Sequence, residues 1–195
     1  MPLGANKAAI RGVAGVSTGD VVLIQSQTAS DSASISFTSG IDSTYGEYVF
    51  GFYNINPATN AQHLGFQVNV AGASGYNETM TTTQHYAKHY ESDAEIGLIY
   101  HADFDQAQGT AVQTMAVGIG NGGDESCAGE LHLFNPSNTT YTTQFYSKFN
   151  TYHSAPQTIN MFTAGYINAT GAVDEIQFSM ASGNFDGLIK MWGVK

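Results

Sequence analysis

Apolar and polar residues alternate with a period of two along most of the chain from Val21 onward. The stretch 33–39 places Ile35 and Phe37 between small polar residues, and EYVFGFYNI repeats the pattern with aromatic residues at every second position. Strict alternation is typical of half-buried antiparallel strands, which turn one face to a core and the other to solvent. No window keeps the 3.6-residue period of an amphipathic helix, so under about a tenth of the chain is predicted to be helical.

Clusters of turn-forming residues separate these alternating segments, for example NINPATN, AGASGYN, GNGGDE, NPSNTT and ASGNFDG. Gly, Asn, Pro and Asp in such clusters supply the positive or fixed φ angles that tight turns require. The pattern yields about ten to twelve short strands, which is typical of sandwiches and jelly rolls. We therefore predict an all-β fold, a jelly-roll-like antiparallel β-sandwich, with residues 21–195 as a single domain.

One stretch, Thr83–Gln113, does not follow the template, because its periodicity is weak although it is rich in His, Tyr and acidic residues. We expect a long decorated connection between strands, with room for a short helix around Asp93. Connections of this kind are where all-β proteins commonly carry function.

Residues 1–20 form a separate region in which Gly, Ala, Ser and Val dominate. Large side chains are too few here to build a core, so the segment is predicted to be disordered in isolation. It is nevertheless too apolar for a solvated linker, which predicts an extended N-terminal arm that becomes ordered on a partner. The arm residues expected to contact this partner are Leu3, Lys7, Ile10 and Arg11.

The closing stretch, ASGNFDGLIKMWGVK, has the alternation of a strand that is held in a sheet. Its two faces carry Leu188, Lys190 and Trp192 on one side, and Ile189, Met191 and Gly193 on the other. We expect this strand to close the sheet that begins near Val21. The Trp192 ring is predicted to pack into the sandwich core or into a seam between subunits, with Lys190 on the same face.

The charge balance excludes two classes of partner. Sixteen acidic and six basic residues give a formal net charge of −10, and only 11% of the residues are charged, compared with about 25% in an average protein. Nucleic-acid backbones and anionic membrane surfaces both require clustered Lys and Arg, so neither is an expected partner. The sequence also contains no apolar run long enough for a transmembrane helix and no apolar segment typical of a signal peptide.

Two residue types could suggest a reactive or metal site. Cys127 is the only cysteine, so no disulfide forms within the chain, and a small buried hydrophobe is favoured over a nucleophile. His85 and His89 are four residues apart, which places both imidazoles on one face of a helix or a strand. The Glu that follows the first His in zinc proteases is absent, so surface histidines are favoured over a metal site.

The acidic residues do not form a recognisable catalytic or calcium-binding pattern either. Asp103 and Asp105 are expected on one strand face, and Asp124 and Glu125 in a turn, but no spacing matches a calcium loop. Glu130 stands within a strand and shares its face with His132 and Phe134. The chain has no nucleophile elbow, phosphate-binding loop or dinucleotide fingerprint. We therefore expect no enzyme activity, no catalytic residue, no metal and no cofactor.

Three blocks carry a resemblance to a known family: QTASDSASISFTSGIDSTYGEYVFGFYNINPAT, GELHLFNPSNTTY and FTAGYINATGAVDEIQFSMASGNFDGLIKMWGVK. These blocks resemble a family of short virion-associated structural proteins of marine tailed phages, of the cyanophage and pelagiphage type. The resemblance covers nearly the whole chain. Relatives end in a Lys-hydrophobe-Tyr-Gly strand, in which Trp192 occupies the aromatic position here. The resemblance implies a β protein located in the virion and transfers no catalytic residue.

Two functional hypotheses follow from this resemblance. The first is a capsid decoration or cement protein, anchored by its arm to the major capsid protein or to other virion proteins. The alternative is a tail-fibre or tail-tip module that recognises host-surface glycans, which an exposed concave site in Thr83–Gln113 would favour. The absence of coiled-coil heptads and of a long shaft favours the first. A Tyr-rich, weakly charged surface further predicts a symmetric homo-oligomer, most simply a trimer.

Overall fold

The computed structural model describes residues 20–195, which form thirteen β-strands and no helix. All of their strand pairs are antiparallel, so the predicted all-β fold is confirmed. The strands are β1 (Val21–Ser32), β2 (Ser34–Phe37), β3 (Glu47–Pro57), β4 (Gln62–Val70), β5 (Met80–Tyr90), β6 (Ile96–Tyr100), β7 (Ala107–Gly109), β8 (Gln113–Ile119), β9 (Cys127–Phe134), β10 (Thr143–His153), β11 (Gln157–Ile167), β12 (Val173–Met180) and β13 (Phe185–Val194).

Eight of these strands have the order of a jelly roll. One sheet runs β1-β13-β3-β9 and the other runs β2-β12-β4-β8, so the chain crosses repeatedly between two packed layers. The strands β1 and β13 pair along their length, from Val21 opposite Val194 to Ser32 opposite Phe185. The prediction that the closing strand pairs with the strand near Val21 is therefore confirmed.

The remaining strands extend the first sheet beyond β9 through β10, β11 and β5, and both β6 and β7 pair with β5. The expectation of a long connection over Thr83–Gln113 is therefore wrong, and the chain makes a turn at Asp93, where φ is +57°, rather than a helix. The apolar alternation is missing because the inward face of β5 carries Thr82 and Gln84. Both side chains are buried and hydrogen-bonded, to Gln113 and to the Thr114 carbonyl respectively.

Aromatic side chains fill the core between the two jelly-roll sheets. Phe178 of β12 is fully buried, and its ring meets those of Phe37, Phe50 and Phe52 with centroid distances of 6.1, 5.4 and 4.9 Å. These are edge-on arrangements, which aromatic pairs prefer over face-to-face stacking. A smaller cluster of Val117, Ile159 and Met161 joins β11 of the extension to β8.

The pairing of β13 decides where Trp192 points. Met191 lies opposite Phe50 and is fully buried in the core, so Trp192 lies on the opposite face of the sheet, where it is half-buried. The prediction that its ring packs into the sandwich core is therefore wrong, whereas a seam between subunits stays a prediction. Lys190 shares the outward face with Trp192, as the alternation predicts.

The predicted arm contacts, Leu3, Lys7, Ile10 and Arg11, lie outside the described residues. Within residues 20–195, no helix is long and apolar enough to cross a membrane.

Candidate binding face

The outer face is the side of the extended first sheet that points away from the core. Cross-strand pairing aligns its side chains in rows, and one group of rings forms an aromatic ladder, consisting of His132, Phe134, Tyr146 and Phe162. His132 stacks on Tyr146 with centroids 4.5 Å apart, and Tyr146 stacks on Phe162 at 5.9 Å. Neighbouring strands hold each ring, so the ladder is a rigid and half-buried apolar surface.

A second aromatic pair, Trp192 and Tyr53, lies over Gly51 at the β13 end of this face. A Cβ atom on residue 51 would lie 2.8 Å from Cζ3 of Trp192 and 3.3 Å from the Tyr53 hydroxyl oxygen. Only glycine therefore lets both rings lie this close to the backbone. The ammonium of Lys190 is 5.4 Å from the centre of the Tyr53 ring, a cation–π contact that helps to hold this ring in place.

Small and amide side chains form the floor between these aromatic groups. The amide row consists of Ala128, Asn150, Asn160 and Ala87, which are successive cross-strand partners on β9, β10, β11 and β5. Two shallow hollows lie along it, of about 580 and 490 Å³, and Asn150 lines both. The first hollow is also lined by Tyr53, Gly51, Trp192, Glu130, Lys148 and Asn160, and the second by His89, Asp93, Tyr152 and Thr158.

Apolar side chains are exposed at both edges of the extended sheet. Ile96, Leu98 and Tyr100 of β6 are 70%, 77% and 56% exposed. They point to the outer face, because Leu98 and Tyr100 pair with the outward residues of β5. Within the described chain β6 pairs only with β5. At the opposite edge, Val21 and Leu23 of β1 are also more than half exposed. Exposed apolar edge strands are typical sites of pairing with another chain.

A separate cavity of about 340 Å³ on the inner side of the extension contains three histidines, and we call it the histidine cleft. The Phe104 ring lies between His63 and His101, with centroid distances of 4.9 and 4.8 Å. His153 lies across the cleft, beside Gly118. These residues come from β4, β10, β8 and the loop after β6, so the cleft exists only in the folded chain.

Hydrogen bonds fix the protonation state of two of these imidazoles. Nδ1 of His63 accepts the backbone N–H of Gly118 at 2.9 Å, and Nδ1 of His153 accepts that of Ala155 at 2.9 Å. A nitrogen that accepts an N–H bond carries no proton, so both rings are neutral with the proton on Nε2. Burial lowers the pKa of His63, His101 and His153, and the other two histidines lower that of His63 further.

The two histidines singled out from the sequence lie on one face, as the even spacing predicts, and they point away from the cleft. His85 packs on Phe162 with a centroid distance of 5.3 Å, and Nε2 of His89 is 3.0 Å from Asp93 Oδ1. Within residues 20–195, no three or more His, Cys, Asp or Glu side chains are placed so that together they could hold a metal ion.

The acidic residues considered from the sequence are dispersed. Asp103 and Asp105 lie in the loop between β6 and β7, so the expectation that they share a strand face is wrong. The reason is local, since Asp105 accepts a hydrogen bond from the Tyr100 hydroxyl across the bend of this loop. Glu125 accepts the Gly122 N–H at 2.6 Å within the β8–β9 turn.

Glu130 and Cys127 lie on opposite faces of β9. Glu130 is exposed on the outer face, and its Oε2 is 3.6 Å from Nε2 of His132. It shares this face with His132 and Phe134, as the alternation predicts. Cys127 is buried, which confirms the prediction of a small buried residue, and burial raises the pKa of its thiol.

Sequence reasoning missed the amide row and the histidine cleft. Alternation gives the face of Asn150 and of Asn160, but not their position beside each other and beside Ala128. Likewise, no local pattern links His63 to His153, which are brought together by the packing of two sheets.

The strand order and the outer face define a jelly-roll β-sandwich whose first sheet is enlarged into a broad aromatic and amide-lined surface. Comparisons with protein-family models, with curated proteins and with solved structures found no match to this chain. A fold of this type serves many unrelated functions, so function is argued from the surface.

Proposed function

We propose that this protein is a structural component of a tailed-phage particle, which binds capsid or other virion proteins as a decoration or cement protein. The resemblance to phage structural proteins supports a location in the phage particle. The observation that supports a protein partner is the exposed apolar edge of β6, with Ile96, Leu98 and Tyr100 on one face.

An edge strand of this composition is suited to a protein partner for two reasons. Its outer backbone groups are open to pairing with another strand, and its side chains gain by leaving water. Burial of Ile96 or Leu98 in a contact stabilises it by about 1.5–3 kcal/mol for each side chain. Backbone pairing and side-chain burial both contribute when a second chain lies along the edge.

The same surface supports self-association into a ring. The β6 edge and the β1 edge, where Val21 and Leu23 are exposed, lie at opposite ends of one sheet. A contact between β6 of one copy and β1 of the next is head-to-tail, and such contacts close into rings when the rotation allows it. Among such rings, we favour a trimer as the simplest one.

Purified particles test the proposed role. Quantitative mass spectrometry gives the copy number, which we expect to match the capsid lattice rather than the low symmetry of a tail. In particles assembled with Leu98→Lys, we expect incorporation to be lost while the isolated variant keeps its melting temperature. The matched control is Ala73→Lys, at an exposed position in the loop after β4. Incorporation of Leu98→Lys at the wild-type level would contradict the proposal.

A further inference from the structure

The two hollows on the outer face are adjacent, and together we call them the trough. Asn150 lines both of them, and the amide row below them crosses four strands, which is a distance of about 14 Å at the usual strand spacing. The trough is long and open along its top. This shape suits an extended chain ligand better than a compact cofactor, which would be enclosed on most of its surface.

The aromatic residues at one end of the trough are pre-organised. Trp192 and Tyr53 are held against Gly51, and Lys190 contacts the Tyr53 ring. Rings that are already fixed lose little conformational entropy when a ligand packs on them. Their apolar faces match the C–H faces of sugar rings, whereas their polar edges match hydroxyl groups.

The amides in the floor offer a free donor beside a free acceptor. Oδ1 of Asn150 accepts a hydrogen bond from the Thr158 hydroxyl at 2.9 Å, and Nδ2 of Asn160 donates to the Phe149 carbonyl at 3.3 Å. These contacts orient both side chains. In the part of the chain that the structure describes, Nδ2 of Asn150 and Oδ1 of Asn160 make no hydrogen bond, so each is available to a ligand. A hydroxyl group, which both donates and accepts, satisfies such a pair.

The charges along the trough are few and on balance acidic, because Lys148 is the one Lys or Arg among the lining residues, whereas Glu130, Glu91 and Asp93 are all acidic. In the first hollow, Glu130 lies directly across the strand pair from Lys148, and in the second His89 is hydrogen-bonded to Asp93. Among the residues that line the two hollows, no cluster of cations could attract a phosphate or sulfate chain, and the net charge of −10 disfavours any polyanion. The ligand class that fits is therefore neutral and rich in hydroxyl groups.

We propose that this trough binds a neutral oligosaccharide chain, with Trp192 and Tyr53 as stacking platforms and with Asn150 and Asn160 as hydrogen-bonding groups. The second hollow reaches His89 of β5, the cross-strand partner of Ile96, but Leu98 lines neither hollow. The stacking end of the site lies on β3 and β13, far along the sheet from β6. The protein can therefore bind a particle protein at β6 and stack a glycan on Trp192 and Tyr53 at the other end of the outer face.

Intrinsic fluorescence tests this directly, because Trp192 is the only tryptophan of the chain. The full-length protein is titrated with four neutral hexasaccharides: cellohexaose, maltohexaose, laminarihexaose and chitohexaose. We expect at least one of them to cause a saturable change in Trp192 emission and to protect this residue from acrylamide quenching. The absence of a change with all four would overturn the proposal.

Variants in the floor of the trough locate the site. We expect Asn150→Ala and Asn160→Ala each to weaken binding about tenfold, which is the effect of losing one hydrogen bond to a ligand. The control is Gln144→Ala, an exposed position on the same strand, outside both hollows. Wild-type affinity of both asparagine variants would place any binding elsewhere and overturn the assignment.

Two further measurements separate this proposal from the structural role. Sedimentation gives the oligomeric state, and acrylamide quenching without sugar shows whether a second copy covers Trp192. A stable oligomer in which Trp192 is shielded from acrylamide, and in which its emission does not respond to sugar, would also overturn the proposal. The asparagine variants should enter particles at the wild-type level, whereas Leu98→Lys should keep sugar binding. Each role can therefore fail without the other.

Discussion

Gly118 is the position where one added carbon atom should have the largest effect on the histidine cleft. Its φ angle is +62°, in the left-handed region that favours glycine, and its N–H donates to Nδ1 of His63. A Cβ atom here would lie 2.1 Å from Nε2 and 2.3 Å from Cδ2 of His153. Gly118→Ala therefore combines backbone strain with a steric overlap.

The two effects add to a substantial loss of stability. An L-residue in the left-handed conformation costs about 1–2 kcal/mol, and forcing a packed ring aside costs about 1–3 kcal/mol. We expect the free energy of unfolding to fall by about 2–5 kcal/mol, out of the roughly 5–15 kcal/mol that a typical domain has. For a chain of this size, the melting temperature should fall by about 2–4 °C per kcal/mol.

Urea denaturation of Gly118→Ala and of Gly123→Ala measures this loss. Residue 123 is the matched control, since its Cβ would meet nothing within 4 Å, and we expect its effect to stay within about 0.5 kcal/mol. In a His153→Ala background, Gly118→Ala should cost less, because the overlap is gone and only the backbone strain remains. A Gly118→Ala protein as stable as the control, or an unchanged cost in that background, would refute this reasoning.

Three further predictions concern pH, the core and the thiol. Because burial lowers the pKa of His63 and His153 below the ordinary histidine value of 6.5, the unfolded chain binds more protons than the folded chain below that pH. The protein should therefore keep its full stability above about pH 6.5 and lose stability as the pH drops towards the pKa values that these histidines have in the folded state. Thermal melts of His63→Gln should show a smaller change of melting temperature between pH 7.5 and 5 than those of the wild type. Phe178→Ala should cost about 3–5 kcal/mol in urea denaturation, and a loss under 1 kcal/mol would contradict its central place in the core. Cys127 should react with a thiol reagent only after denaturation, and rapid reaction of the native protein would show that the residue is accessible.

The sequence by itself determined the class of fold and the strands outside Thr83–Gln113. Alternation marks Ile35 and Phe37, or Ile189 and Met191, as residues that share a face, and the Gly- and Asn-rich turns limit each strand. These signals are local, because the period of a strand and the φ angles of a turn depend only on neighbouring residues. The all-β fold and the paired closing strand follow from them.

Only the tertiary structure decided which face is buried and which residues meet across strands. Both faces of β13 carry large apolar side chains, so alternation alone could not show that Met191 enters the core and Trp192 the outer face. On β5, buried Gln84 obtains its hydrogen bonds from β8 and β11, and this partnership makes a polar stretch a strand. Asn160 meets Ala87 only because β11 pairs with β5. Such contacts depend on the pairing of strands distant in sequence, which the free energy of the whole core selects.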